Sequence, residues 1–293
     1  MSKTHSLLLT FCLSSTCGFA NSGNVNTPYF TWPNKAKIAV SLSYDDALDS
    51  HLDNAIPSLN HFQLHGSFYL TMNANSIYSR LKEWQQAAID GHELGNHTLY
   101  HYCSSSGTDR GWVKPHQNLN NISMEALIDD IKLTNSFLYA IDGQTLRTYT
   151  APCADEFVDS RSYYPLVEHL FVGMKTHVLK TPIDKHTDVT SFSPLRGIVW
   201  VPNAITGEQL IAHVQKIKTI ALDNDQPVVA NITFHGIGGD HLSVSKHAHN
   251  QLLRYLANHS EHYWVDTYRN ISIYMNQYNQ RITRQQSVQS QIN

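Results

Sequence analysis

The sequence has no excess of positive charge and no apolar run long enough to cross a bilayer. Its 293 residues carry 21 Lys and Arg against 24 Asp and Glu, which gives a formal net charge of −3. Binding to nucleic acid or to an anionic membrane surface therefore has no electrostatic support. A transmembrane helix is not expected, because it needs about 20 consecutive apolar residues. With 41% hydrophobic and 15% charged residues, the composition is that of one large α/β domain or two small ones, and no break in composition favours two.

Cysteine is scarce, and two of the four cysteines lie in a segment typical of a secretory signal. Lys3 supplies the positive charge of such a signal, residues 7–13 supply an apolar core, and Gly18-Phe-Ala20 supplies a cleavage site with small residues. The core is too short to span a membrane. We therefore predict a signal peptide over residues 1–20, cleavage near Ala20, and a secreted or periplasmic protein.

Cleavage at this site would leave Cys103 and Cys153 as the only cysteines. Two cysteines in an exported chain favour a disulfide, whereas the same pair in the cytosol would suggest a thiol site. Each follows a predicted strand end, so we expect them to meet and to close a loop of about fifty residues. A lipid anchor at Cys17 is the poorer alternative, because the preceding Ser-Ser-Thr lacks the usual aliphatic residue. The mature chain would carry 20 basic and 24 acidic residues, a net charge of −4.

Short segments with strand character alternate with helical segments along most of the chain. The strand segments, some of which open into turns or loops, are residues 38–47, 66–71, 92–101, 146–153, 170–175, 197–202, 227–235 and 263–266. The helical segments are residues 47–62, 76–90, 123–141, 206–222, 245–258 and a last one ending near residue 278. This alternation predicts an α/β protein whose seven or so parallel strands close, or nearly close, into a barrel. We expect one globular domain over residues 36–279, after a polar leader over residues 21–35 and before a polar, disordered tail over residues 280–293.

Asp45 and Asp46 end the first apolar run, so they would sit at the carboxyl end of a buried strand. Barrel enzymes built from parallel strands carry their chemistry at this end. Two neighbouring carboxylates repel each other, and keeping both ionised needs a cation or strong hydrogen bonds. The alternative is a helix N-cap with a solvated neighbour, because Asp is favoured before a helical segment such as residues 47–62.

Three histidines also follow predicted strands. His97 and His101 are four residues apart, which on a helical turn places both imidazoles on one side, within reach of one ion. His235 ends the β-branched run 227–235. One carboxylate and two imidazoles with open positions suit zinc or a similar divalent ion that activates water. Paired histidines also occur on surface helices, so the pair alone does not decide between these readings.

Together these residues resemble the NodB-like polysaccharide deacetylases, the carbohydrate esterases of family 4. The family's Thr/Ser-Phe-Asp-Asp motif is similar to Ser43-Tyr-Asp-Asp46, and its His-Ser/Thr-x-x-His motif is matched by His97-Thr-Leu-Tyr-His101. A late strand that ends in an apolar residue and His resembles Phe234-His235. The resemblance spans roughly residues 36–275. It implies a distorted (β/α) barrel of about seven parallel strands with a single divalent ion, for which zinc is expected.

The resemblance also implies a role for each matched residue: metal ligation by Asp46, His97 and His101, general-base catalysis by Asp45, and general-acid catalysis by His235. This division agrees with the chemistry of acyl hydrolysis. The ion polarises the acetyl carbonyl and acidifies a water, a carboxylate outside the coordination sphere takes the proton, and an imidazole protonates the departing amine or alkoxide.

The third family motif differs here. Its common form is Arg-x-Pro-Tyr/Phe-Gly, in which the Arg orients the base, whereas Thr150-Ala-Pro-Cys-Ala154 has Thr at the Arg position and Ala at the Gly position. Arg147 lies three residues too early to be its equivalent. Which groups orient Asp45 and polarise His235 therefore stays open. The backbone N–H of Cys153 matches a position that helps to hold the oxyanion, a role that needs no particular side chain.

Two further features are weaker candidates for a site. Gly236-Ile-Gly-Gly239 lacks the residues of a dinucleotide or P-loop motif, and a glycine turn that lets His235 approach the cleft explains it better. Trp112 and Trp200 could stack on a sugar, although Trp is more often a core residue. Trp112, in the polar loop beyond His101, is the better candidate for substrate contact, because Trp200 lies in a predicted strand.

The resemblance implies a secreted, metal-dependent hydrolase that removes N- or O-acetyl groups from an acetylated sugar or polysaccharide. Two alternatives stay open. A carbohydrate-binding pseudoenzyme of the same fold is supported by the altered third motif. A metallohydrolase acting on amides that are not sugars is supported by the short chain, which has no added carbohydrate-binding module.

Overall fold

The structure, a computed structural model, describes residues 30–178, 195, 197–224 and 227–292. The predicted signal peptide over residues 1–20 and most of the predicted leader lie outside the described residues. None of the described helices combines the length and the apolarity that a membrane span requires.

Each predicted strand segment contains or overlaps an observed strand. The strands are β1 (Ile38–Asp45), β2 (Ser67–Leu70), β3 (Glu93–Asn96), β4 (Thr148–Thr150), β5 (Phe157–Val158), β6 (Arg161–Ser162), β7 (Gly173–Val178), β8 (Gly197–Val199), β9 (Val229–Phe234) and β10 (Tyr263–Val265). Two of them, β5 and β6, form a short antiparallel hairpin that the sequence did not predict. Their pairs of residues are too short to show a period.

Seven parallel strands form a barrel in the order β1-β2-β3-β4-β7-β8-β9. The ring closes where β8 meets β9 through hydrogen bonds on both sides of Trp200. Its N–H donates to the Asn231 carbonyl at 3.0 Å, and its carbonyl accepts from the Thr233 N–H at 2.9 Å. The predicted (β/α) barrel of about seven parallel strands is therefore confirmed. An eighth strand, β10, pairs with Ile38–Val40 of β1, so β1 contacts three other strands.

Helices pack around the barrel. They are α1 (Ile56–His61), α2 (Asn75–Ser79), α3 (Leu81–Ile89), α4 (Met124–Asp142), α5 (Tyr164–Val167), α6 (Gly207–Asn224), α7 (Lys246–Ala257) and α8 (Tyr268–Ile292). A π-helical turn, His51–Ala55, precedes α1. The predicted capping by Ser123 is confirmed, because its side chain accepts a hydrogen bond from the Ala126 N–H at 3.2 Å.

Two predicted helical boundaries are wrong. The segment 76–90 is broken at Arg80, whose backbone is not helical and whose guanidinium binds Asp49, Asp53 and Glu83. The last helix does not end near residue 278 but continues to Ile292. Residues 280–293 are rich in Gln and Arg and contain no Gly or Pro, so nothing in this segment interrupts a helix although it is polar.

Strand β1 is buried along its whole length. Its side chains alternate between the hydrophobic core outside the barrel and the inside of the barrel. Ile38, Val40, Leu42 and Tyr44 belong to the main hydrophobic core under the surrounding helices. The residues between them are small or polar and face the inside of the barrel, where Ser41 accepts a hydrogen bond from a buried lysine. This alternation carries Asp45, the last residue of the inward series, to the mouth of the barrel.

A disulfide joins Cys103 and Cys153, with the two Cα atoms 5.7 Å apart. The predicted pairing is therefore confirmed. The bond connects the loop after β3 with the loop after β4, so it ties together two segments that border the mouth of the barrel.

Replacing both cysteines with serine should lower the free energy of unfolding by about 4 kcal/mol, the value that the chain-entropy model gives for a loop of about fifty residues. Urea denaturation of the protein lacking residues 1–20 measures this change. Titration of thiols after denaturation without reductant should find none. Two reactive thiols, or an unchanged midpoint in the serine variant, would contradict the prediction.

Candidate metal centre

The turn after β1 places the two neighbouring aspartates in different positions. Asp46 (φ 84°) and Ala47 (φ 53°) both adopt left-handed backbone conformations, and the Asp46 N–H donates to the Tyr69 carbonyl at 3.1 Å. Such conformations are costly for residues other than glycine and concentrate at functional sites. Helical backbone begins only at residue 49, so the N-cap alternative for Asp45 and Asp46 is wrong.

His97 and His101 follow β3 in an irregular turn. The expected helical turn is not observed, because Thr98 (φ 65°) and His101 (φ 56°) are left-handed. Side chains fix this shape: Oδ1 of the Asn96 side chain accepts from the Thr98 N–H at 2.9 Å, and the Thr98 hydroxyl accepts from the His101 N–H at 3.0 Å. The two imidazoles still lie side by side, with ring centres 5.1 Å apart.

Both imidazoles point at one carboxylate oxygen. Oδ1 of Asp46 lies 3.2 Å from His97 Nε2 and 3.0 Å from His101 Nε2. This oxygen is buried and has no hydrogen bond of normal geometry among the described residues. Asp46, His97 and His101 thus form a group whose ligand atoms lie within 4.8 Å of one another. A buried oxygen without a hydrogen bond, facing two imidazole nitrogens, fits a divalent cation.

The tautomer of His97 is set by Thr150. Nδ1 of His97 lies 2.9 Å from the Thr150 carbonyl oxygen and 2.7 Å from the Thr150 hydroxyl. Because a carbonyl can only accept, Nδ1 carries the hydrogen and Nε2 keeps its lone pair toward Asp46. This arrangement is usual for a histidine that binds a metal.

Two more titratable groups stand beside Asp46. Asp45 is 7% exposed, and burial raises the pKa of its carboxyl. His235 Nε2 lies 3.8 Å from Asp46 Oδ2, and burial lowers the pKa of this imidazole. The carbonyl of His235 accepts a hydrogen bond from Nε2 of the buried His51 at 2.9 Å, which fixes the end of β9.

The Asp46 carboxyl stays ionised although it is buried, because imidazoles surround it. Burial alone would raise its pKa, but contacts with His101, His241 and His97 together hold the pKa well below the ordinary value. His241 belongs to the loop after β9, and its Nε2 lies 2.8 Å from Asp46 Oδ2. The sequence analysis missed His241, since no motif spacing connects it to the other site residues.

These residues line a cavity of about 820 Å³ at the mouth of the barrel. Trp112 is 55% exposed at its rim, with its ring centre 5.9 Å from that of His101, and Cys153 borders the same space. Trp200 instead stacks on His213 at 3.8 Å, which agrees with its expected place in the core. A cavity of this volume has the size usual for small-molecule sites.

The altered third motif has a structural explanation. Thr150, which stands at the position of the family's Arg, contacts His97 rather than Asp45. Arg147 is buried in an ion pair with Asp142 and bonds the Leu94 carbonyl at 2.8 Å, below the mouth of the barrel. Arg147 is thus a structural residue and does not substitute for the family's Arg.

Lys175 and Arg110 also border the cavity, and the sequence analysis missed both. Lys175 is 3% exposed, and its Nζ donates to Ser43 and lies 4.8 Å from the ring centre of Tyr268. Burial lowers the pKa of Lys175 to about 7. A lysine within a predicted buried strand was the available signal. Arg110 joins the two disulfide-linked loops through an ion pair with Asp155 at 2.8 Å.

The glycine-rich segment after β9 forms a tight turn, as expected. A Cβ atom added to Gly236 would lie 1.9 Å from the carbonyl oxygen of Gly239, so no other residue fits there. Gly238 has a φ of 71°. The segment serves to return the chain toward the cavity.

Comparisons with known proteins agree with this geometry. Residues 33–164 match the family model described as polysaccharide deacetylase. This range contains both aspartates, His97, His101 and the third motif. The resemblance predicted from the sequence is therefore confirmed, whereas a comparison with curated protein sequences found no significant match.

Several solved structures align with this chain at low sequence identity. A putative polysaccharide deacetylase from Mycobacterium smegmatis aligns with a TM-score of 0.57 and 13% identity, covering 85% of this chain and 94% of that one. The peptidoglycan deacetylase PdaC from Bacillus subtilis gives 0.44 and 16%, covering 85% and 96%. A CE4 family pseudoenzyme from Bacillus anthracis gives 0.48 and 14%, covering 78% of this chain but only 63% of that protein. The Mycobacterium smegmatis structure supports the barrel fold.

Asp130 lies on α4 and bonds the turn between His97 and His101. We expect this buried carboxyl to make the free energy of unfolding depend on pH. Its carboxylate accepts a hydrogen bond from the Leu99 N–H at 2.9 Å, and burial raises its pKa to about 6. The folded chain therefore binds more protons than the unfolded chain between about pH 4 and 6, and stability falls as pH rises through this window. Asp130→Asn should remove this fall, with a gain of up to about 3 kcal/mol at neutral pH.

Urea denaturation between pH 4 and 7.5 measures this difference. The matched control is Asp129→Asn on the same helix, where the carboxylate is 79% exposed and lies 3.6 Å from the Lys132 ammonium. The control should keep the parental pH profile. Parallel profiles for the parent and Asp130→Asn would show that burial does not penalise this carboxylate.

Proposed function

We propose that the protein is a secreted, metal-dependent deacetylase that hydrolyses N- or O-acetyl groups of an acetylated sugar or polysaccharide. The observation that carries this proposal is the convergence of His97 and His101 on Asp46 Oδ1, with Asp45 and His235 beside them. All five lie at the carboxyl ends of barrel strands and line one cavity.

Asp46, His97 and His101 would hold the metal. One carboxylate and two imidazoles with open positions suit a catalytic divalent ion, and zinc suits nitrogen-rich sites of this kind. When bound, the ion would polarise the acetyl carbonyl and lower the pKa of water. Thr150 supports the site by holding His97 in the tautomer that ligation requires.

Asp45 would act as the general base. Its Oδ1 is buried and has no hydrogen-bond partner among the described residues, so it is available to the attacking water. Its raised pKa moves it toward the range in which a base works near neutral pH. The water adds to the acetyl carbon while Asp45 takes its proton.

His235 would act as the general acid on the departing group. The bond between the acetyl carbon and the sugar nitrogen or oxygen breaks, and the imidazole supplies the proton that the leaving atom needs. The Cys153 backbone N–H, in a left-handed turn at the cavity rim, would donate to the developing oxyanion. Trp112 would provide an apolar face for a sugar ring.

A carbohydrate-binding pseudoenzyme is the second candidate. It is favoured by Thr150, because the family's usual arginine partner of the base is missing at this position. Both candidates share the metal site and the cavity, and only turnover separates them.

Acetate release from a panel of acetylated glycans tests the proposal. The protein should release acetate from at least one member, and Asp45→Asn should lower this rate about a hundredfold to ten-thousandfold while the metal stays bound. His235→Ala should lower it as well, but less on an activated ester whose leaving group needs no proton. Turnover by Asp45→Asn at the parental rate would refute the assigned base. The absence of acetate release across the panel would favour the pseudoenzyme.

Metal content tests the assigned ligands directly. His97→Ala, His101→Ala and Asp46→Ala should each lose the bound ion, because two remaining protein ligands hold it weakly. Elemental analysis after dialysis against zinc measures this loss. His61→Ala, an exposed histidine on α1, is the control and should retain the ion. Near-stoichiometric metal in all three ligand variants would show that the site lies elsewhere.

A further inference from the structure

We propose that His241 is a positioning residue of the metal centre, which fixes the Asp46 carboxylate so that Oδ1 faces His97 and His101. This inference rests on the proposed function. The two oxygens of Asp46 have different partners: Oδ1 faces the two predicted ligands at 3.2 and 3.0 Å, and Oδ2 lies 2.8 Å from Nε2 of His241. Opposite edges of one carboxylate are thus held by different loops.

His241 acts on Asp46 rather than on the same ion as His97 and His101. Among the described residues, His241 forms a group of possible ligand atoms with Asp46 and His235, but not with His97 and His101. A carboxylate that binds a metal through one oxygen is usually oriented by a hydrogen bond to the other. A bond from Nε2–H to an ionised carboxylate is charge-assisted and therefore among the stronger hydrogen bonds.

The loop that carries His241 is constrained to present it. Backbone hydrogen bonds close the loop from Gly236 N–H to the His241 carbonyl at 2.9 Å and from Val244 N–H to the Gly236 carbonyl at 2.9 Å. The residues on both sides of His241 adopt left-handed conformations, Asp240 with φ 63° and Leu242 with φ 47°. Such strained residues persist only where the surrounding contacts hold them.

Contacts with the segment after β1 anchor the same loop. The Asp240 carboxylate accepts a hydrogen bond from the Ser50 N–H at 3.0 Å, and the Asn54 side chain donates to the Ile237 carbonyl at 2.8 Å. The histidine is 57% exposed, so this bond to a buried carboxylate does not arise from core packing. The anchored loop therefore places one exposed imidazole on the buried carboxylate.

Zinc affinity tests the inference without reference to activity. The zinc-free protein and its variants are titrated with zinc in competition with a chromophoric chelator. His241→Ala should bind zinc about 10- to 100-fold more weakly, the usual effect of removing a partner of a metal ligand. His241→Gln should recover most of this loss, because its side-chain amide can donate from a similar position but binds zinc poorly. His247→Ala, an exposed histidine on the neighbouring helix α7, should match the parent.

Two outcomes of the titration would overturn the inference. Parental affinity of His241→Ala would show that the hydrogen bond does not position Asp46. Two zinc ions in the parent and one in both His241→Ala and His241→Gln would make His241 a ligand of a second ion together with His235. Circular dichroism spectra of the zinc-free variants, expected to match that of the parent, separate these effects from misfolding. If His97→Ala also keeps parental affinity, the proposed metal site itself fails, and this result is distinct from a failure of His241 alone.

Discussion

The rest of the site depends on one interaction, the pairing of the buried Asp46 carboxylate with the imidazoles around it. A carboxylate taken out of water must be paired or must take up a proton, and here imidazoles from two neighbouring loops pair with it. The chain adopts left-handed conformations at Asp46, Thr98 and His101 to bring these groups together. The backbone strain at the mouth of the barrel is therefore explained by one electrostatic requirement, the pairing of the Asp46 carboxylate.

Two of the loops at the mouth, those after β3 and β4, are also cross-linked to each other. The disulfide connects the loop after β3 with the loop after β4, and Arg110 adds an ion pair to Asp155 across the same boundary. Thr150, the last residue of β4 before the second of these loops, bonds His97. Movement of either loop would disturb a histidine, so the cross-links restrain the geometry of the site.

The meeting of these side chains was predictable because Asp45 ends a strand and His97 and His235 each directly follow one, and parallel strands bring their carboxyl ends to one edge. The conformation between His97 and His101 was not, since the side chains of Asn96 and Thr98, rather than helical propensity, determine that turn. His241 reaches Asp46 through a loop that is anchored by a hydrogen bond between Asp240 and Ser50, which are 190 residues apart in sequence. Local patterns do not encode such contacts. The hairpin β5–β6 was missed for another reason, since its strands of two residues are too short to show a period.

The position of β10 bears on the order in which the chain can fold. Strand β1 lies near the start of the domain, yet β9 and β10, which pair with it, begin only at Val229 and Tyr263. During synthesis the edges of β1 stay incompletely paired until nearly the whole domain has emerged, and such long-range pairing slows folding. The barrel therefore stays open until β9 has been synthesised, and β1 gains its last partner only with β10.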